Sequence, residues 1–114
     1  MPGRLGDRIR LQHILDAIEE VKSFTKGISA EDFMDSTMII SACIRQLEVI
    51  GEASNRLTDE LMNQNPQVNW SQIIGLRNLL IHQYFGVDEM LLWEIIQQDL
   101  PEFEEKVKAI LKAF

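Results

Sequence analysis

An all-α fold, an up-and-down bundle of four to five helices, is what the sequence predicts. Three observations predict it: apolar residues recur at intervals of three and four through most of the chain, no stretch alternates with period two over a strand's length, and the connections between periodic segments are short. The 114 residues are near the common size of one domain, so a single helical domain over 1–114 is expected. Neither an internal repeat nor a low-complexity tract argues otherwise.

The first helix runs between about Asp7 and Lys26, where Leu11, Ile14, Leu15, Ile18 and Val21 recur at helical spacing and leave Asp16, Glu19, Glu20 and Lys22 toward water. Gly27 ends it. Ser29, with Asp32 three residues on, has capping-box spacing and opens a second, longer helix whose face is Ile39, Cys43, Ile50, Ala53, Leu57 and Leu61. Asn65-Pro66 closes that pattern. Asn69 caps a third helix holding Ile73, Ile74, Leu76, Leu80 and Ile81, and Gly86 with Asp88 separates it from a fourth holding Leu91, Leu92, Trp93, Ile95 and Ile96. Pro101 suits the first turn of a last helix with Phe103, Val107, Ile110, Leu111 and Phe114 on its face. Gly51 and Gly75 fall inside helical patterns, where each costs about 1 kcal/mol relative to Ala, and close helix approach is the expected reason, with a kink as the alternative. Cys43 is expected in the core, and Trp70, Trp93 and Phe114 in the core or at a dimer contact, because no basic residues interleave with these rings.

Charge narrows the function classes. Eleven Lys and Arg against eighteen Asp and Glu give a formal net charge of -7, which excludes binding nucleic acid with the whole surface and makes any phosphate contact local. Residues 1–26 carry five basic and four acidic side chains while residues 27–65 carry two and seven, so Arg4, Arg8 and Arg10 are a candidate phosphate funnel, or a solvated helix start. Glu48, Glu52 and Asp59 share one helical stripe, read as a solvated acidic face. One cysteine forms no internal disulfide and, alone, no thiolate zinc site. No apolar run approaches the ~18 residues of a membrane span, and a soluble cytoplasmic protein with no membrane partner is expected.

The third helix holds the chemistry-bearing residues. On a wheel of ~100° per residue, Arg77 falls near the middle of the stripe of Ile73, Leu80 and Ile81, with Tyr84 beside it. A buried guanidinium cannot shed its charge, so Arg77 either pairs with Glu48 or Glu52 of the second helix, snorkels to the edge, or faces a wet cleft. Asn78 and His82 share a face, whereas Arg77 and His82 diverge by ~140° on an unbroken helix. Their convergence requires the arginine to curl, the helix to loosen near Gly86, or a second copy of the chain to complete the site. His13 is read as an ordinary exposed or hydrogen-bonded imidazole.

The run Arg77-Asn78-Leu79-Leu80-Ile81-His82-Gln83-Tyr84 resembles the Arg, four residues, His, one residue, Tyr motif of the HepT toxins within the HEPN superfamily of small helical ribonucleases. Ile50-Gly51-Glu52-Ala53, Trp70, Trp93 and Leu100-Pro101 are similar to that family's surroundings, and the likeness extends from about Asp7 to Leu111. The resemblance implies a two-fold dimer and an RNA substrate. It also implies a small nucleotidyltransferase antitoxin of the MNT type, which attaches AMP to the motif tyrosine, here Tyr84.

Cleaving RNA without a metal needs a base for the ribose 2′-hydroxyl, an acid for the leaving 5′-oxygen and a cation for the charge on phosphorus. His82 is the candidate for proton transfer, Arg77 for clamping the phosphate, and Asn78 for orienting the imidazole or the substrate. Glu52 is a candidate orienter of Arg77. One imidazole per chain is short of two simultaneous proton transfers, and a dimer supplies the second. No His-Glu-x-x-His, aspartate cluster of metal spacing or phosphate-cradling glycine loop is present in the sequence, and neither metal nor cofactor is expected. The second reading is a non-catalytic helical dimer that binds a nucleotide or its nucleotidyltransferase partner. Tyr84, only ~20° from Arg77 on the wheel, is then either a substrate and modification site or a plain core tyrosine.

Overall fold

In the computed structural model, residues 3–82 and 88–114 are described, and between 77 and 82 only the backbone is. Among the described residues every element of secondary structure is helical, as the spacing predicts. In order come α1 (Gly3–Thr25), α2 (Ala30–Met34), α3 (Thr37–Asn55), α4 (Asp59–Gln64), α5 (Trp70–His82), α6 (Glu89–Glu94) and α7 (Leu100–Lys112). A five-residue π-helical turn, Ile95–Asp99, joins α6 directly to α7.

The stops and caps explain most boundaries. Gly27 takes φ 75°, a left-handed conformation that ends α1 and that glycine adopts without steric cost. Ser29 does form the capping box: its hydroxyl accepts from Asp32 N at 3.0 Å and Asp32 Oδ2 accepts from Ser29 N at 3.4 Å. What it opens is the single turn α2, because Ser36 provides a second cap, its Oγ accepting from Ile39 N at 3.1 Å, and starts the long helix afresh. The long helix also ends earlier than its apolar pattern suggests. Arg56 caps α3, and Thr58, whose Oγ1 accepts from Leu61 N at 3.2 Å, begins α4, so Leu57 and Leu61 are buried from a turn and a new helix rather than from α3. Asn69 and Asp88 cap α5 and α6 as expected, accepting from Gln72 N at 3.1 Å and Leu91 N at 3.0 Å. Gly86 lies outside the described residues.

The fourth and fifth helices are one continuous helical run instead of two. Leu100 N donates to Ile95 O, five residues back, and this widened turn stands immediately before Pro101, which has no N–H to give and whose ring crowds the carbonyl four residues earlier. The wide turn relieves the proline without breaking the run.

Central to the bundle is α3, which packs along α1 on one side and α5 on the other, while α7 lies against α1 and the short α2 rests on α3 and α6. Leu11, Ile14, Ile18 and Val21 of α1 meet Cys43, Leu47 and Ile50 of α3 in a core that also takes Phe33, Leu92, Phe103 and Val107. Two acids are buried. Asp7 is 3% exposed and accepts from Thr58 N at 2.9 Å and Thr58 Oγ1 at 2.6 Å, tying the start of α1 to the turn after α3. Glu104 is 5% exposed and bonds Lys22 Nζ at 3.3 Å. Hydrogen bonds to Glu19 first, and to Glu104 next, hold the Lys22 ammonium above its ordinary pKa.

The rings follow expectation. Trp70 is buried and meets Phe103 edge-on at 6.1 Å, and half-buried Trp93 lies tilted on Phe33 at 5.1 Å. Phe114 is half-buried, with Arg4 over its face at 4.3 Å. Gly75 departs from expectation. Among the described residues, a Cβ added there would meet nothing within 4 Å, so no close approach among them explains this glycine. Gly75→Ala is therefore expected to stabilise the chain by about 0.5 to 1 kcal/mol, read as a higher urea midpoint with unchanged slope. A lower midpoint would show that the open space is needed.

Candidate functional site

The helix that carries the motif is fixed at its start by side chains and along its length by α3. Asn69 caps it, the Trp70 indole Nε1 donates to Asn65 O at 3.0 Å, and Leu76 is buried. Arg77, Asn78 and His82 sit on the C-terminal half of α5, on a continuous helical backbone, with their side chains outside the described residues. Tyr84 lies wholly outside them. The structure thus places three of the motif residues on the one helix expected and leaves their mutual geometry undescribed.

Beside this helix, α3 presents its polar edge to α1. The two helices line an open groove of about 610 Å³ whose walls include Arg10 and His13 from α1 and Arg45, Glu48, Glu52 and Arg56 from α3. Arg56 Nε donates to Glu52 Oε1 at 3.1 Å, with the two side chains 63% and 40% exposed. Glu48 and Glu52 are therefore half-buried among arginines, not part of an open acidic face. Asp59 does not share their stripe, because α3 ends before it and it opens α4. Of Arg4, Arg8 and Arg10, the structure places one on this groove. Arg4 covers Phe114, Arg8 lines no part of the groove, and only Arg10 does. Arg45 and Arg56 line it from the other wall, and sequence reasoning missed both. The signal was there: Arg45, Glu48, Glu52 and Arg56 recur at intervals of three and four, the spacing of one helix face.

Cys43 offers no nucleophile. It is fully buried, and desolvation pushes its thiol up to about 11, which leaves it neutral at physiological pH. Among the described residues no group of three His, Cys, Asp or Glu side chains is placed to hold a metal ion, and no helix is long and apolar enough to cross a membrane.

Such a molecule is a small helical bundle with a polar motif on a helix held against a central, charge-lined partner. The chain belongs to the ribonuclease HepT-like family, whose family model matches residues 14–110. It is 42% identical over 100 residues to a Methanocaldococcus jannaschii protein named "Putative RNase", covering 88% of this chain and 92% of that one. A Caldanaerobacter subterraneus protein of the same name is 43% identical over 102 residues, covering 90% and 91%. A Thermococcus cleftensis protein named "Probable ribonuclease HepT" is 37% identical over 102 residues, covering 90% and 93%. No solved structure matches.

Proposed function

We propose that this chain is a metal-independent RNA endonuclease and the toxin of a toxin–antitoxin pair. The observation that supports this reading most is the Arg77-Asn78, His82, Tyr84 series, three of whose members ride on α5, in a chain whose relatives carry ribonuclease names. In the proposed reaction the ribose 2′-oxygen attacks phosphorus and the bond from phosphorus to the 5′-oxygen breaks, with one proton leaving the 2′-hydroxyl and one reaching the 5′-oxygen. His82 moves one of these protons, and His82 of a second copy in a two-fold dimer moves the other. Arg77 holds the non-bridging oxygens with paired hydrogen bonds, Asn78 orients the imidazole or the substrate, and Glu52 positions Arg77. The products are a 2′,3′-cyclic phosphate and a 5′-hydroxyl. The test is cleavage of RNA by the purified chain in EDTA with those ends formed. A strict requirement for Mg2+ would overturn it.

Regulation follows from the same motif. An MNT-type nucleotidyltransferase antitoxin is proposed to attach AMP to the Tyr84 hydroxyl, which would set a phosphate near Arg77 and compete for the guanidinium that RNA needs. Incubation with the nucleotidyltransferase, ATP and Mg2+ is expected to raise the mass by one or more AMP units and abolish cleavage, with no mass change in Tyr84→Phe. A modified protein that still cuts RNA would exclude this control.

A further inference from the structure

The groove between α1 and α3 has a side-chain inventory unlike the rest of the molecule. Among the described residues it is lined by Arg10, Arg45, Arg56 and His13, but by no lysine. Three of the lysines instead pair with glutamates, Lys22 with Glu19 and Glu104, Lys106 with Glu102, and Lys108 with Glu104 and Glu105. On a chain of formal net charge -7, this is a place where positive groups outnumber negative ones. Arginine is the cation suited to phosphate, because its planar fork gives paired hydrogen bonds and it sheds water more readily than an ammonium.

Resting on the ribonuclease reading above, we infer that this groove seats the phosphodiester backbone of single-stranded RNA, through Arg10, Arg45 and Arg56. Arg45 is exposed and makes no hydrogen bond or ion pair among the described residues. Arg56 gives Glu52 only its Nε, one of the five donors of a guanidinium. Arg45 and Arg56 stand ~16 Å apart along the helix axis at ~1.5 Å per residue, room for several phosphates spaced ~3.4 Å along a stacked strand. Among the described residues no Phe, Tyr or Trp lines the groove, so the contacts its arginines offer are to the backbone and tolerant of sequence. A second copy of the chain fits less well. Half of the ten lining residues are charged, whereas the centre of a protein interface is depleted of charge.

Fluorescence anisotropy of a labelled single-stranded RNA, titrated with full-length His82→Ala protein at several KCl concentrations, tests the inference. Adding Arg45→Glu should weaken binding about tenfold, and adding Arg10→Glu as well should flatten the dependence of log K on log salt by about 1.4, at ~0.7 per phosphate contact. Lys26→Glu, the same charge change outside the groove, should do neither. Arg45→Gln repeats the test should the charge reversal disturb folding. Unchanged affinity and slope would overturn the inference, as would a fall from dimer to monomer on sedimentation of the Arg45 variants, which would assign the groove to a second copy. If the wild-type chain cuts RNA and Arg45→Glu leaves KM unchanged, the groove is wrong and the ribonuclease reading stands. Charge- and salt-dependent binding by a chain that cuts no RNA would be the reverse.

Discussion

Replacing His82 with alanine is expected to slow RNA cleavage by roughly two to four orders of magnitude, the usual contribution of a general acid or base. Replacing Arg77 with alanine should cost a comparable factor, because a cation aimed at the charge that develops on phosphorus acts chiefly in the transition state. Both losses should appear mainly in kcat, and helical content by circular dichroism should match the parent. The contrast with the groove is sharp: Arg45→Glu belongs to substrate binding and should raise KM while leaving kcat nearly intact. Mixing His82→Ala chains with wild type should lower activity more steeply than dilution does, if two copies share one site. A chain that cuts RNA at full rate after both substitutions would remove the motif from the chemistry altogether.

Much of the bundle was legible because its determinants are local. The α1 stripe from Leu11 to Val21, the stop at Gly27 and the caps at Asn69 and Asp88 each follow from residues within a turn of one another, and the structure agrees at every one. The misplaced boundaries came from apolar periodicity carried through interruptions that only polar capping reveals. Ser36 and Thr58 restart helices where Ile39 to Leu61 still look like one face. Other features depend on partners remote in sequence and had no local signature. Buried Asp7 is hydrogen-bonded by Thr58, 51 residues away, and buried Glu104 by Lys22, 82 residues away. The groove belongs to this class, since Arg10 and Arg45 meet only once α1 and α3 pack together. The motif was legible as a pattern on α5. Whether Arg77 and His82 converge is a matter of side chains and of a second copy, which spacing alone does not encode.

The largest loss of stability is expected at Phe33, a residue that periodicity left without a role because it belongs to a one-turn helix. It is fully buried, and its ring lies 5.1 Å from that of Trp93, so α2 docks onto α3 and α6 mainly through this side chain. A helix of five residues cannot hold itself in water, because nucleation alone is unfavourable; its stability is the burial of its apolar side chain. Phe33→Ala removes that anchor and leaves a cavity, at a cost of about 3 to 5 kcal/mol. Against a typical total of 5 to 15 kcal/mol, the loss would bring a chain of this size near its unfolding threshold. Phe33→Leu keeps most of the apolar contact and should lose much less. Urea unfolding followed by tryptophan fluorescence reads both, since Trp93 is one of only two tryptophans and lies against the altered site. A loss below about 1 kcal/mol, outside the range for a buried ring, would mean that α2 does not depend on this contact. A large loss with cleavage per folded molecule unchanged would make Phe33 a structural anchor alone, because no residue of α2 lines the groove and none belongs to the motif helix.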